Sequence, residues 1–236
     1  MWILPNQTYS ARQIFKHTFE FWKLCWIRVM PITFLSAAVI VFMNAILPPP
    51  HVQPQPLQII TILILVLLRI VFLAAMLDQI YKIMQNQPNS LISGIKYGIK
   101  KFPIFLLASI LLIVSTLAGT LLFIFPGIYI MVVLFLLFPA LVMEKKGIID
   151  TYKNVFKLTW GHWWHTAITI MVPIIVFMAV VNLIHGLVNL GLKLIGQSGL
   201  MLLENPFVIL AAIFFMPYIT SIFFLCLNDL ELRKRK

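Results

Sequence analysis

Acidic side chains are scarce in this sequence. Seven Asp and Glu stand against eighteen Lys and Arg, and charged residues make up only 11% of the 236 positions. No pair of carboxylates falls in a context suited to general acid–base work, and no Ser-His-Asp set or phosphate-cradling glycine loop occurs. The two cysteines, Cys25 and Cys226, provide neither a disulfide framework nor a thiolate metal set. The basic excess lacks the aromatic interleaving and motifs of an RNA-binding surface, which excludes nucleic acid as a partner. No cofactor is expected. A convincing signal peptide is also missing. Arg12, Lys16, Glu20, Lys23 and Arg28 are spread over an amphipathic stretch before the first long apolar run, so that run is expected to be retained.

Apolar residues are what the chain has in plenty: 61% of positions, with a mean hydropathy of +1.00. A soluble domain of this size would expose too much of that surface. Charge-poor runs of about 20 residues read as membrane spans. The expected fold is all-α and polytopic: a single membrane domain of six spans in three hairpins, each hairpin preceded by a basic amphipathic interfacial helix. The spans fall at about 29–47, 57–80, 102–125, 127–143, 166–188 and 206–228.

The stretch from Phe125 to His165 shows the repeating unit best. Pro126-Gly127 is a turn dipeptide, with Pro fixing φ and Gly accepting φ > 0. It divides two uncharged runs into an antiparallel hairpin. The second run, Gly127 to Met143, is about 25 Å long as helix, short for a span, with a re-entrant segment as the alternative. Pro139 is expected to kink it. Glu144, Lys145 and Lys146 mark the exit from lipid. Ile148, Ile149, Tyr152, Val155, Phe156 and Leu158 or Thr159 then recur on one helical face, with Lys146, Asp150, Lys153 and Lys157 largely off it. Such a helix suits anionic headgroups. Trp160, Trp163 and Trp164 stand where an interfacial aromatic belt belongs.

Charge by side gives the orientation. The N-terminal segment, the second loop (Lys82, Lys96, Lys100, Lys101), the fourth loop and the tail hold sixteen of the eighteen Lys and Arg. The opposite side holds Lys193, and Arg69 lies within a span. Both termini are therefore expected in the cytoplasm. Three short segments, starting at Phe15, Ile95 and Tyr152, align on one pattern: apolar, Lys, two variable, apolar, charged. Either the chain is a threefold parallel repeat, or any positive-inside hairpin protein looks this way.

The arrangement of Pro126-Gly127, Pro139, Leu141, Glu144, Gly147 and Leu158-Thr159-Trp160 resembles the YciC family of bacterial inner-membrane proteins. The match covers about residues 124 to 165. That group looks similar to the membrane domains fused to some glycerophosphodiester phosphodiesterases. The resemblance implies a six-span inner-membrane protein linked to envelope maintenance. It carries over no catalytic residue, because the phosphodiesterase chemistry lies in a separate soluble domain.

Arg69 is the sharpest single residue. A charge at mid-span costs at least about 2.5–3.5 kcal/mol on insertion scales. Two readings are open: an anion or lipid-headgroup contact or conformational latch, or an arginine satisfied by carbonyls and amides, with Asn44 and Asn182 as candidates. Asp78 lies nine residues on, roughly 13 Å along a helix, and is expected to form an exposed pair with Lys82. His162 and His165 have ligand-like spacing, but lack the further ligands that zinc needs. His185, with Asn182 and Asn189, reads as polar contact between helices. The functional expectation is a non-catalytic membrane protein that binds anionic lipids or other inner-membrane proteins through Lys96, Lys100, Lys153 and Lys157. The alternative is a small transporter or permease subunit using Arg69.

Overall fold

The computed structural model describes residues 7–48, 52–144, 147–194 and 204–234. Met1–Pro5, Lys145, Lys146, most of the glycine-bearing loop before Glu204 and the last two tail lysine and arginine positions lie outside the described residues, as do the side chains of His185, Asn189 and Lys193. The described residues form eight helices and no strand: α1 (Ala11–Ile46), α2 (Pro56–Met84), α3 (Leu91–Leu122), α4 (Ile124–Phe135), α5 (Leu137–Met143), α6 (Ile148–Thr159), α7 (Trp163–Leu194) and α8 (Glu204–Lys234). Six segments are long and apolar enough to cross a membrane, with α4 and α5 together making one of them. The protein is an all-α polytopic membrane protein.

Local chemistry sets the helix starts. Ser10 accepts a hydrogen bond from the Gln13 amide while the Gln13 side chain accepts from the Ser10 amide at 2.8 Å, a capping box opening α1. Ser90 and Ser93 do the same for α3. Pro56 opens α2, where its missing N–H would have had no partner.

The first two amphipathic segments are not separate helices. Residues 11–26 run on into the first span within α1, and 91–101 into the third span within α3. Pro31 and Pro103 lie inside these helices and do not end them. Adding a residue to an existing helix needs no new nucleus, so the helical segment already formed carries on through each junction. Only the third segment, α6, is free-standing. Gly147 precedes it, and Trp160 ends it with extended backbone (φ −62°, ψ 124°). Gly161 follows at φ +85°, a conformation that favours glycine.

The turn between α3 and α4 sits at Phe123 instead of Pro126-Gly127. Phe123 alone is extended (φ −164°, ψ 153°) and ends one helix while starting the next. Pro126 falls in the first turn of α4, where a missing N–H costs nothing. Gly127 is there for proximity: a Cβ would overlap the Thr120 hydroxyl, and Gly119 faces it across the gap. Pro139 lies in the first turn of α5, just after the helix is interrupted at Leu136. The expected kink is thus a break between α4 and α5.

The second half of α2 is the buried axis of the bundle. Ala74, Ala75, Leu77 and Ile80 are fully enclosed, together with Phe21, Cys25 and Val29 of α1 and Phe105 of α3. A second cluster joins Val132, Val133, Leu136 and Ala140 to Val155, Ala167, Ile170 and the Cys226–Leu230 end of α8. Backbones of α2 and α3 come close where α3 has Gly94 and Gly98. A Cβ on Gly98 would collide with the Val71 carbonyl oxygen. Gly98→Leu is therefore expected to cost about 1–3 kcal/mol or more through overpacking, read as a lower unfolding midpoint in detergent. An unchanged midpoint would contradict this contact.

Candidate functional site

Arg69 lies near the midpoint of α2, with roughly 20 Å of helix on either side. It borders a cavity of about 610 Å³ enclosed by α1, α2 and α3, with Met216 of α8 at its edge. The other polar groups on its wall are Thr33, Ser36 and Ser109. Thr33 donates its hydroxyl to the Met30 carbonyl at 2.9 Å, and Ser109 to the Phe105 carbonyl at 2.8 Å. Among the described residues, neither Arg69 nor Ser36 has a hydrogen bond or ion pair. Asn182 donates to the Met178 carbonyl of its own helix, and Asn44 is exposed. The two amides that were candidate partners for Arg69 therefore do not satisfy it. Leu63, Val66, Ile110 and Ile113 line the cavity and are themselves exposed, so its mouth faces sideways, where hydrocarbon surrounds the bundle.

The four candidate lysines are all exposed: Lys96 and Lys100 on the first turns of α3, Lys153 and Lys157 on α6. The apolar face of α6 packs on the protein. Val155 and Leu158 are buried and Tyr152 and Phe156 lean on the core. Ile149, expected on that face, is 66% exposed, and Thr151 is buried instead. Asn154 donates to Glu144 at 2.6 Å, tying α6 to the end of α5. Trp160 and Trp164 are exposed, as an aromatic belt requires.

Asp78 and Lys82 do pair, at 2.6 Å, but not as an exposed couple. The Asp78 side chain is only 7% exposed, because α2 is enclosed at this level. His165 does not share a ligand set with His162; its Nε2 lies 3.0 Å from Asp229 Oδ2. Among the described residues no group of three His, Cys, Asp or Glu side chains gathers to hold a metal. Cys25 and Cys226 are free, buried thiols.

Asp229 is the group that the sequence reading did not single out. Its carboxylate accepts from the Tyr9 amide at 2.6 Å, from Arg233 Nε at 2.7 Å and faces His165. Arg233 also donates to the Tyr9 carbonyl at 2.6 Å. The i, i+4 spacing of Asp229 and Arg233 was visible in the sequence. Tyr9 and His165 lie too far away along the chain to have been suspected. The cluster clasps the start of α1 to α7 and α8. Asp229→Asn is expected to lower stability by about 1–3 kcal/mol, the usual cost of charge-assisted hydrogen bonds. Faster amide exchange at Tyr9 would report the opened clasp, and unchanged exchange would contradict it.

No protein-family model, no curated protein and no solved structure matches the chain.

Proposed function

We propose that this is a non-catalytic protein of the bacterial inner membrane, with both termini cytoplasmic, that supports envelope homeostasis by binding anionic lipids or other membrane proteins. The observation that carries the lipid reading is Arg69: a cation with no partner among the described residues, on the wall of a cavity whose mouth is lined by exposed aliphatic side chains. A charge at such depth is ordinarily paired or functional. The exposed lysines of α3 and α6 supply the second contact. Basic residues beside a membrane are attracted to an anionic leaflet by about 1 kcal/mol each. The resemblance to the YciC family supports the compartment and the link to the envelope.

Arg69 also favours a second reading, a small transporter or permease subunit, because the same cavity lies inside the bundle. The basic segments all start on one side, as parallel and not inverted repeats do, and the buried acid of this helix, Asp78, is already paired with Lys82, which weighs against it.

Native mass spectrometry of the purified protein tests the proposal. Wild type is expected to retain anionic lipid. Arg69→Ala should lose most of the tightly held fraction. Replacing Lys96, Lys100, Lys153 and Lys157 by Gln should thin the loosely held remainder. Wild-type protein that folds stably without any lipid would count against both contacts and turn attention to protein partners. Solute flux in vesicles, lost in Arg69→Ala, would support transport instead.

A further inference from the structure

We infer that the Arg69 cavity is a binding site for a long-chain carboxylic acid, its carboxylate on the guanidinium and its chain along the apolar mouth. The inference rests on the reading of this protein as a lipid binder and names the class of lipid.

Three observations lead there. The first is donor chemistry. Arg69 of α2 presents a planar fork of N–H donors and Ser36 of α1 an uncommitted hydroxyl lining the same cavity, with no acid among the described residues to answer them. A fork of that shape matches a carboxylate bidentately. The second is the wall beyond the charge, which is aliphatic: Leu63 and Val66 lie one to two turns along α2, and Ile110 and Ile113 opposite on α3. The occupant is therefore an amphiphile with one compact acidic group and an apolar tail. The cavity volume of about 610 Å³ is within the usual range for sites that enclose a small ligand.

The third observation is depth. Arg69 sits about 20 Å of helix from both ends of α2, and helical side chains lean towards the N-terminal end, so Arg69 leans away from Lys82. A phospholipid would have to draw a permanently charged phosphate away from the interface to meet it, at a large desolvation cost. A carboxylic acid enters as the neutral acid, which removes that barrier to entry. The proton it carried in returns to bulk water when the carboxylate pairs, so the neutral form governs access and the guanidinium pair governs affinity. The site thus favours a fatty acid over a phospholipid by access as well as by fit.

The test uses purified full-length protein in detergent, offered oleate, oleyl alcohol or phosphatidylglycerol, with retained ligand counted by native mass spectrometry. Wild type is expected to hold oleate about tenfold more tightly than the alcohol, the effect of one charge-assisted pair. Arg69→Gln should abolish that preference, and Arg69→Lys should keep part of it, having the charge without the fork. Equal retention of acid and alcohol by wild type would overturn the inference without recourse to any variant. Phosphatidylglycerol held through Arg69 in place of oleate would overturn the fatty acid and leave the lipid-binding function standing. Retention of neither ligand through Arg69 would overturn the inference and remove Arg69 from the lipid reading, leaving that reading to the lysines of α3 and α6.

Discussion

In hydrocarbon every polar group must find its partner inside the protein, and nearly all of this bundle obeys that constraint locally. Thr18, Thr61, Ser109, Thr120 and Thr169 each donate the hydroxyl to a carbonyl one turn back on the same helix. Such side chains add no link between helices. Apart from a few bonds between elements, among them the Asp229 clasp and the Asn154–Glu144 and Trp22–Phe214 bonds, cohesion rests on close packing: glycine against backbone between α2 and α3 and between α3 and α4, and aliphatic contact around the second half of α2. Small residues that let backbones approach are the usual means of association where lipid is as apolar as the helix surface. Among the described residues Arg69 and Ser36 keep hydrogen-bonding capacity in reserve, as do the buried Thr116 and Tyr129 hydroxyls and the Trp163 indole N–H; Arg69 differs from these in carrying a charge.

The cavity follows from the same packing. The second half of α2 is held tightly to α3 through Gly94 and Gly98, whereas its first half has exposed Leu57, Ile59, Ile60 and Leu63. Arg69 lies where the tight part gives way to the loose one. A gap at that junction needs no special device; it is where helices in contact at one end begin to part.

Much of the fold could be read from the residues, because hydrophobic runs and charge clusters report directly on burial and solvent. The second span shows this well: expected at about 57–80, it is found as Pro56–Met84. Helix ends were harder. Pro126-Gly127 carries a turn signal, yet the chain turns three residues earlier at Phe123, where no local propensity advertises it. The glycine is used for a tertiary approach that no single stretch reveals. Similarly, the basic segments before the first and third spans look separate by composition, but composition does not end a helix, and here neither Pro31 nor Pro103 does so. Arg69 was evident as a charge in an apolar run; its lack of a partner was not, since Asn44 and Asn182 were chemically suitable and only their positions exclude them. Asp229 was hidden for the opposite reason. Its partners come from three elements, and one of them lies 220 residues away.

That last contact ties the order of synthesis to the order of assembly. Tyr9 is among the first described residues to be made, and Asp229 and Arg233 among the last. At about 5–20 residues per second, a separation of 220 positions is an interval on the order of ten to forty seconds. Throughout it the start of α1 has no clasp, and the flank that will meet α8, including Trp22 and its bond to the Phe214 carbonyl, has no partner. A chain built this way leaves the start of its first helix unclasped until α8 has been made.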